Sequence, residues 1–204
     1  MIAIIDYGMG NLRSIHNALE KVGGNPVIVS DSNALLDADA DAVVIPGVGA
    51  FGDAMRNLDP FSDGLFDLVD SGTPLLGICI GMQVLFERGE ESNAAGFGLL
   101  AGDVIRLPDG VKIPQMGWNE LTIRRDNQDP DMLAGIDDGD FFYFVHSYYC
   151  VPEDERVIAA TTDYGVDMAA VVEKDNIYAV QFHPEKSSKK GLLILKNFVE
   201  MVKC

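Results

Sequence analysis

Cys79 lies in the run Gly77-Ile78-Cys79-Ile80-Gly81-Met82-Gln83, directly behind an apolar stretch. Residues 73–78 read as a short buried strand and residues 81–87 as a helix, so the cysteine falls on the tight turn between them. The glycines on either side permit backbone dihedrals and close approaches that a Cβ would block. Such a turn is a nucleophile elbow in which a thiol replaces the serine. It aims the sulfur over a helix N-terminus, where unpaired N–H groups and the helix dipole favour a thiolate. A buried cysteine acting only as a small hydrophobe is the alternative. The paired glycines at a strand-to-helix junction favour the nucleophile.

A nucleophile needs a base, and the chain has three histidines. His16 sits in a helical pattern and reads as a surface or packing residue. His146 follows the apolar run 141–145. His183 ends a strand and opens His183-Pro184-Glu185. Proline restricts the backbone there, and a carboxylate two residues on can turn back to hold one imidazole tautomer. Cys79, His183 and Glu185 then divide the work as nucleophile, general base then acid, and orienting carboxylate.

The elbow GICIGMQ with a distant QFHPE resembles the class I, triad-type glutamine amidotransferases. The opening MIAIIDYGMGNL, IPGVGAF at 45–51, PQMGWN at 114–119 and FVHSY at 144–148 are similar, more narrowly, to the glutaminase subunits of imidazole glycerol phosphate synthase. The resemblance runs from the first residue to the C-terminal helix, with the motifs in the expected order. Ile80 stands where a leucine is more usual and Met116 where an isoleucine often is; both keep the apolar character. Related subunits serving pyridoxal phosphate, tryptophan or guanine nucleotide synthesis differ in the PGVG and PQMGWN segments.

Composition bounds the reading independently. A chain of 204 residues supports one substantial core, here taken as one domain over 1–204. The three cysteines, Cys79, Cys150 and Cys204, form no CxxC pair, which argues against a disulfide scaffold or a zinc site and fits a reducing cytosol. The N-terminal MIAIIDYG has no basic region before its apolar residues and reads as a first strand. No apolar stretch approaches bilayer length. A formal charge of -17 disfavours nucleic acid and anionic membrane surfaces. It would also repel a phosphorylated substrate, so phosphate chemistry is expected elsewhere, with a basic partner face as a plausible complement. Solubility alone is the other account of the charge. Neither a metal cluster nor a cofactor motif is present; Gly8-Met9-Gly10 lacks the third glycine of a dinucleotide fingerprint.

The elements that must position the chemistry alternate. Strands are expected at 2–5, 26–29, 41–45 and 74–78, with helices at 12–22 and 61–69. This order implies an open, mainly parallel sheet with helices on both faces, the flavodoxin-like architecture of the resembled family. After about Gly98 strands dominate, at 104–107, 119–123, 140–145, 157–161, 168–172 and 177–182, before a closing helix at 191–202. The later strands are expected as antiparallel additions. A polar loop is expected at 126–131. Ligands of open α/β sheets bind beyond the carboxyl ends of the strands, and Cys79, the 46–49 loop and His183 each follow a strand.

The Ile80 N–H, directly after the nucleophile, is the natural first oxyanion donor. The backbone of Gly47, Val48 and Gly49 is the candidate second, and the resemblance agrees. The resemblance further implies that Gly49, Gly81, Gln83, Ser147 and Tyr148 hold L-glutamine. It also implies that ammonia passes to a cyclase partner of (β/α)8-barrel type. There it would be used to make imidazole glycerol phosphate and an aminoimidazole carboxamide ribotide, a step of histidine biosynthesis. Met116, Gly117, Trp118, Asn119 and Lys186 are the expected partner contacts, with Tyr143 nearby. A stand-alone thiol hydrolase and a non-catalytic binding module are the rival readings.

Overall fold

The computed structural model describes residues 1–124 and 131–202. Apart from Asp131, the polar loop expected at 126–131 lies outside the described residues, as does Cys204.

In chain order the elements are β1 (Ile2–Ile5), α1 (Leu12–Lys21), β2 (Pro26–Val29), α2 (Ser32–Asp37), β3 (Ala42–Ile45), α3 (Phe51–Leu58), α4 (Ser62–Asp70), β4 (Leu75–Ile78), the single-turn α5 (Ile80–Gln83), β5 (Phe86–Gly89), β6 (Ala94–Ala95), β7 (Leu100–Arg106), β8 (Gln115–Glu120), β9 (Thr122–Ile123), β10 (Phe141–His146), β11 (Tyr148–Pro152), β12 (Ile158–Asp163), β13 (Asp167–Lys174), β14 (Ile177–Val180) and α6 (Ser188–Val202). Eight strands form the main sheet in the order β2-β1-β3-β4-β14-β13-β12-β9. From β2 to β14 every pairing is parallel, and from β14 to β9 every pairing is antiparallel.

Strands β1, β3 and β4 are buried at every position, the mark of parallel strands covered on both faces. Their alternating side chains enter two separate cores. Ala3, Ile5, Val43 and Ile45 pack with Leu35 of α2, Ala54 and Leu58 of α3 and Leu65 of α4. Ile2, Ile4, Ala42 and Val44 pack with Ile15 and Leu19 of α1 and with Ile194, Leu195 and Phe198 of α6. Local signals set the helix starts: Asn11 accepts from the Ser14 N–H at 3.4 Å and Asp31 from the Ala34 N–H at 2.8 Å.

The expected helix over 81–87 is instead one turn, followed by strand β5. The backbone of 84–87 is drawn off by another sheet: Val84, Leu85, Phe86 and Glu87 carbonyls accept from Phe97, Leu100, Gly98 and Gly96. That sheet, β11-β7-β5-β6, and the pair β10-β8 are separate from the main one. The PQMGWN segment, expected as a loop, is largely strand β8, and the strand expected at 119–123 divides between β8 and β9.

In the main sheet β4 lies between β3 and β14. The 46–49 loop, Cys79 and His183 therefore leave neighbouring strands at the same edge. The junction at β4 is tight: a Cβ on Gly77 would lie 2.5 Å from the Gly81 carbonyl oxygen and 2.9 Å from the Met82 nitrogen. Both are backbone atoms that cannot swing aside. Gly77→Ala should destabilise the fold by about 2 kcal/mol, measured from urea denaturation midpoints.

Candidate active site

Cys79 adopts φ 56 and ψ -108. A positive φ is strained for a residue bearing a Cβ and persists only where the surroundings over-determine it. Here the Cys79 N–H donates to the Val180 carbonyl at 2.8 Å, and the Cys79 carbonyl accepts from the Met82 and Gln83 N–H groups at 3.0 and 3.1 Å. As the first residue of its turn, Ile80 has an N–H without an intrahelical acceptor. The sulfur stands 3.8 Å from the Val145 carbonyl oxygen and 3.7 Å from Gln181 Nε2.

Behind it His183 Nδ1 meets Glu185 Oε1 at 3.0 Å, with side-chain exposures of 3% and 2%. Burial, the largest influence, works against charge on the imidazole. The Cys79 sulfur and the Glu185 carboxylate outweigh it and raise the His183 pKa from 6.5 to about 9. Among the described residues His183 Nε2 makes no hydrogen bond of ordinary geometry, although Cys79 stands close enough to raise the ring's pKa, and Glu185 Oε2 is likewise unpartnered. His183 is anchored through its backbone: its N–H donates to the Tyr143 carbonyl at 2.9 Å, and its carbonyl accepts from the Ser187 hydroxyl at 2.7 Å. Ser187 Oγ in turn accepts from the Tyr143 N–H at 2.9 Å, so a buried serine clips the His183 turn to β10.

A cleft of about 240 Å³ opens beside Cys79, lined by Val48, Gly49, Ile80, Gln83, Glu91, Pro114, Val145, His146, Ser147 and Tyr148. Most of the expected binding residues meet there. Gly47 does not line it but is buried, and a Cβ there would run into Tyr7 and Ile80. Gly81 is also buried, packed against the Ile45 carbonyl. Gln83 lines the cleft but commits its Nε2 to the Tyr148 carbonyl at 2.9 Å and to Gln181 Oε1 at 3.0 Å, leaving Oε1 as the acceptor it can offer. Tyr7 is buried behind the 46–49 loop: its hydroxyl donates to the Pro46 carbonyl at 2.7 Å, and burial, with Cys79 second, pushes its pKa up and keeps it neutral.

Sequence reasoning passed over four further residues. Glu91 lines the cleft and accepts from the Phe51 N–H at 2.7 Å, capping α3. His146 is buried, which pulls its pKa down to about 4, and it contacts the Tyr148 carbonyl at 2.8 Å and the Gln115 side chain at 2.9 Å. Gln181 and Ser187 complete the set. Gln181 and His146 lay inside motifs already marked, beside His183 and Ser147; nothing local marked Glu91 or Ser187. Cys150 is buried with its pKa raised, chiefly by burial, which makes it chemically quiet.

The expected partner residues split by strand alternation. Met116 and Trp118 point outward, 64% and 52% exposed, and pair in register with Val145 and Tyr143 of β10. Trp118 and Tyr143 meet edge to face with centroids 6.0 Å apart. Gly117 and Asn119 alternate with them, and Asn119 Nδ2 donates to the Asp163 carbonyl at 2.8 Å. Lys186 is exposed. Among the described residues no helix is long and apolar enough to cross a membrane, and no cluster of His, Cys, Asp or Glu could hold a metal.

The family model for glutamine amidotransferase class-I matches residues 3–202. The chain belongs to the class I glutamine amidotransferases. The imidazole glycerol phosphate synthase subunit HisH of Methanothermobacter thermautotrophicus is 52% identical over 204 residues, covering 100% of each chain. The HisH subunit of Aquifex aeolicus is 51% identical over 198 residues, covering 96% of this chain and 94% of that one. These likenesses put this amidotransferase in the HisH branch. A crystal structure titled glutamine amidotransferase superposes with a TM-score of 0.77 at 19% identity over 100% of both chains, which speaks for the fold alone.

The raised His183 pKa fixes a sign. The imidazolium's contribution to stability is complete below pH 6.5 and is lost as the pH rises through about 9. Glu185→Gln removes one of the two groups that hold the charge, so the contribution should be smaller and its loss should be complete about one pH unit lower. Urea midpoints across the neutral to alkaline range would show it.

Proposed function

We propose that this amidotransferase hydrolyses L-glutamine at Cys79 and delivers the ammonia to a cyclase partner, as the glutaminase subunit of imidazole glycerol phosphate synthase in histidine biosynthesis. The Cys79 sulfur attacks the side-chain carboxamide carbon, forming a tetrahedral oxyanion. The Ile80 N–H receives that oxyanion, joined by an N–H of the Gly47-Val48-Gly49 loop. His183 gives its proton to the departing nitrogen, ammonia leaves, and a glutamyl thioester remains. His183 then takes a proton from water, hydroxide adds to the thioester, and glutamate departs as the sulfur is restored. Glu185 orients the ring throughout. The observation that carries this reading is the buried His183–Glu185 pair beside a positive-φ cysteine at the wall of a cleft.

Substrate recognition falls to the remaining lining. The Glu91 carboxylate is the counter-charge for the substrate ammonium. Gln83 Oε1 and the backbone of Gly49, Ser147 and Tyr148 complete the hydrogen bonds of the amino-acid end. A single domain over 1–204, working in the cytoplasm without metal or cofactor, suffices for this chemistry.

The partner docks on the outward face of β8 and β10. Met116, Trp118 and Phe141, with the half-buried Tyr143 between them, make an exposed apolar surface there, of the kind that marks protein interaction sites. Lys186 adds a charge beside His183. A (β/α)8-barrel cyclase seated there would receive ammonia without loss to water, and the -17 charge suits a basic face on it. Trp118→Ala should weaken cyclase binding by about 2 kcal/mol, read by calorimetry, with the free chain's thermal midpoint unchanged.

Glutamate release should be slow for the chain alone and rise steeply with the cyclase and its nucleotide substrate. Cys79→Ala should abolish glutamine use while the complex still works from added ammonia. A full rate without partner would remove the cyclase from the account, and loss of both activities would make Cys79 structural.

A further inference from the structure

We propose that Gln181 is a positioning residue for the nucleophile, holding the Cys79 sulfur by an amide N–H. The inference rests on the reading of Cys79 as nucleophile and adds a residue that neither the triad nor the oxyanion loop includes.

Gln181 has no solvent exposure and no part in the cleft lining. Its backbone N–H is committed to the Ala170 carbonyl at 2.9 Å, which fixes it to β13 just past the end of β14. The side chain reaches between two residues of the elbow, with Nε2 3.7 Å from Cys79 Sγ and Oε1 3.0 Å from Gln83 Nε2. Which end of the amide faces the sulfur is decided by a chain of necessity. The Tyr148 carbonyl can only accept, so the Gln83 group 2.9 Å from it must be the NH2. That same NH2 faces Gln181, so Gln181 must turn its oxygen to Gln83 and its own NH2 to the sulfur.

The Tyr148 carbonyl is itself pinned from the other side. His146 Nδ1 lies 2.8 Å from it and must carry a proton to donate. On its other side His146 Nε2 lies 2.9 Å from Gln115 Oε1 on β8. Two buried amides therefore relay from one fixed carbonyl to the sulfur: Gln83 donates to the Tyr148 carbonyl and to Gln181 Oε1, Gln181 donates to Cys79, and His146 braces the carbonyl from the other side. An N–H aimed at sulfur favours the thiolate over the thiol, because only the charged form rewards the donor strongly. The arrangement also keeps the sulfur from rotating away when His183, which makes no ordinary hydrogen bond through Nε2, moves its proton.

The test is the pH dependence of iodoacetamide alkylation on the full-length chain, followed on the Cys79 peptide by mass spectrometry. Gln181→Met keeps the length and removes the amide. Gln181→Glu keeps an acceptor for Gln83 but sets a carboxylate oxygen against the sulfur. Alkylation of Gln181→Met should be about tenfold slower near neutral pH, the order of a lost hydrogen bond to a charged group. It should rejoin the wild-type rate at alkaline pH. Gln181→Glu should be slower still near neutrality, and carries the test if the methionine variant fails to fold. Profiles superimposing on wild type, or slowed equally at every pH, would overturn the proposal. If alkylating Cys79 in the wild type left glutamine hydrolysis intact, the nucleophile reading itself would be the one to fall.

Discussion

One hydrogen bond organises the sheet edge that carries Cys79 and His183: the Cys79 N–H to the Val180 carbonyl, 2.8 Å long. It extends the parallel β4–β14 ladder one residue beyond the end of β4 and so forces the chain to turn at Cys79 itself. The turn is strained, at φ 56, and is tolerated because Gly77 and Gly81 let backbone pack where side chains would stand. The same bond holds the end of β14 beside the sulfur, so Gln181 and His183 arrive there without any loop having to find them.

Around that point the protein accepts local costs that the two cores must offset. A positive-φ cysteine, a buried imidazole lacking an ordinary partner at Nε2 and a buried carboxylate with one free oxygen each oppose folding. The compensation is structural: β3 and β4 are buried at every position and β14 at every position but Tyr178, and the β10–β8 pair is clipped to the His183 turn through Tyr143 and Ser187. Because Tyr143 lies opposite Trp118 in register, the strand that carries the outward apolar face is the one to which His183 is hydrogen-bonded. A partner seated on that face would press on an element hydrogen-bonded directly to His183.

Much of this was legible in the chain. Apolar runs bounded by glycine gave β1, β3, β4 and the parallel order, because fully buried strands have no polar face to obscure them. That Cys79, His183 and Glu185 would lie at one edge was legible because each follows a strand end and cysteine and histidine are rare in this chain. What escaped depends on tertiary competition. Residues 84–87 carry a helical pattern, yet their carbonyls are claimed by the segment 96–100. PQMGWN looked like a loop because glycine and proline mask its alternation, and only pairing with β10 makes it a strand that sends Trp118 outward and Asn119 the other way. Helices α2 and α3 are short, and the cap of α3 comes from Glu91, forty positions away in sequence. Glu91 carries no motif, so only the fold brings it to the cleft.

The most direct test of the central claim is acid-quenched mass spectrometry of the chain during turnover of glutamine with the cyclase and its nucleotide substrate. A transient glutamyl group on the Cys79 peptide, absent from Cys150, is the predicted result. Steady glutamate production with no adduct on Cys79, or with the adduct on another residue, would contradict it.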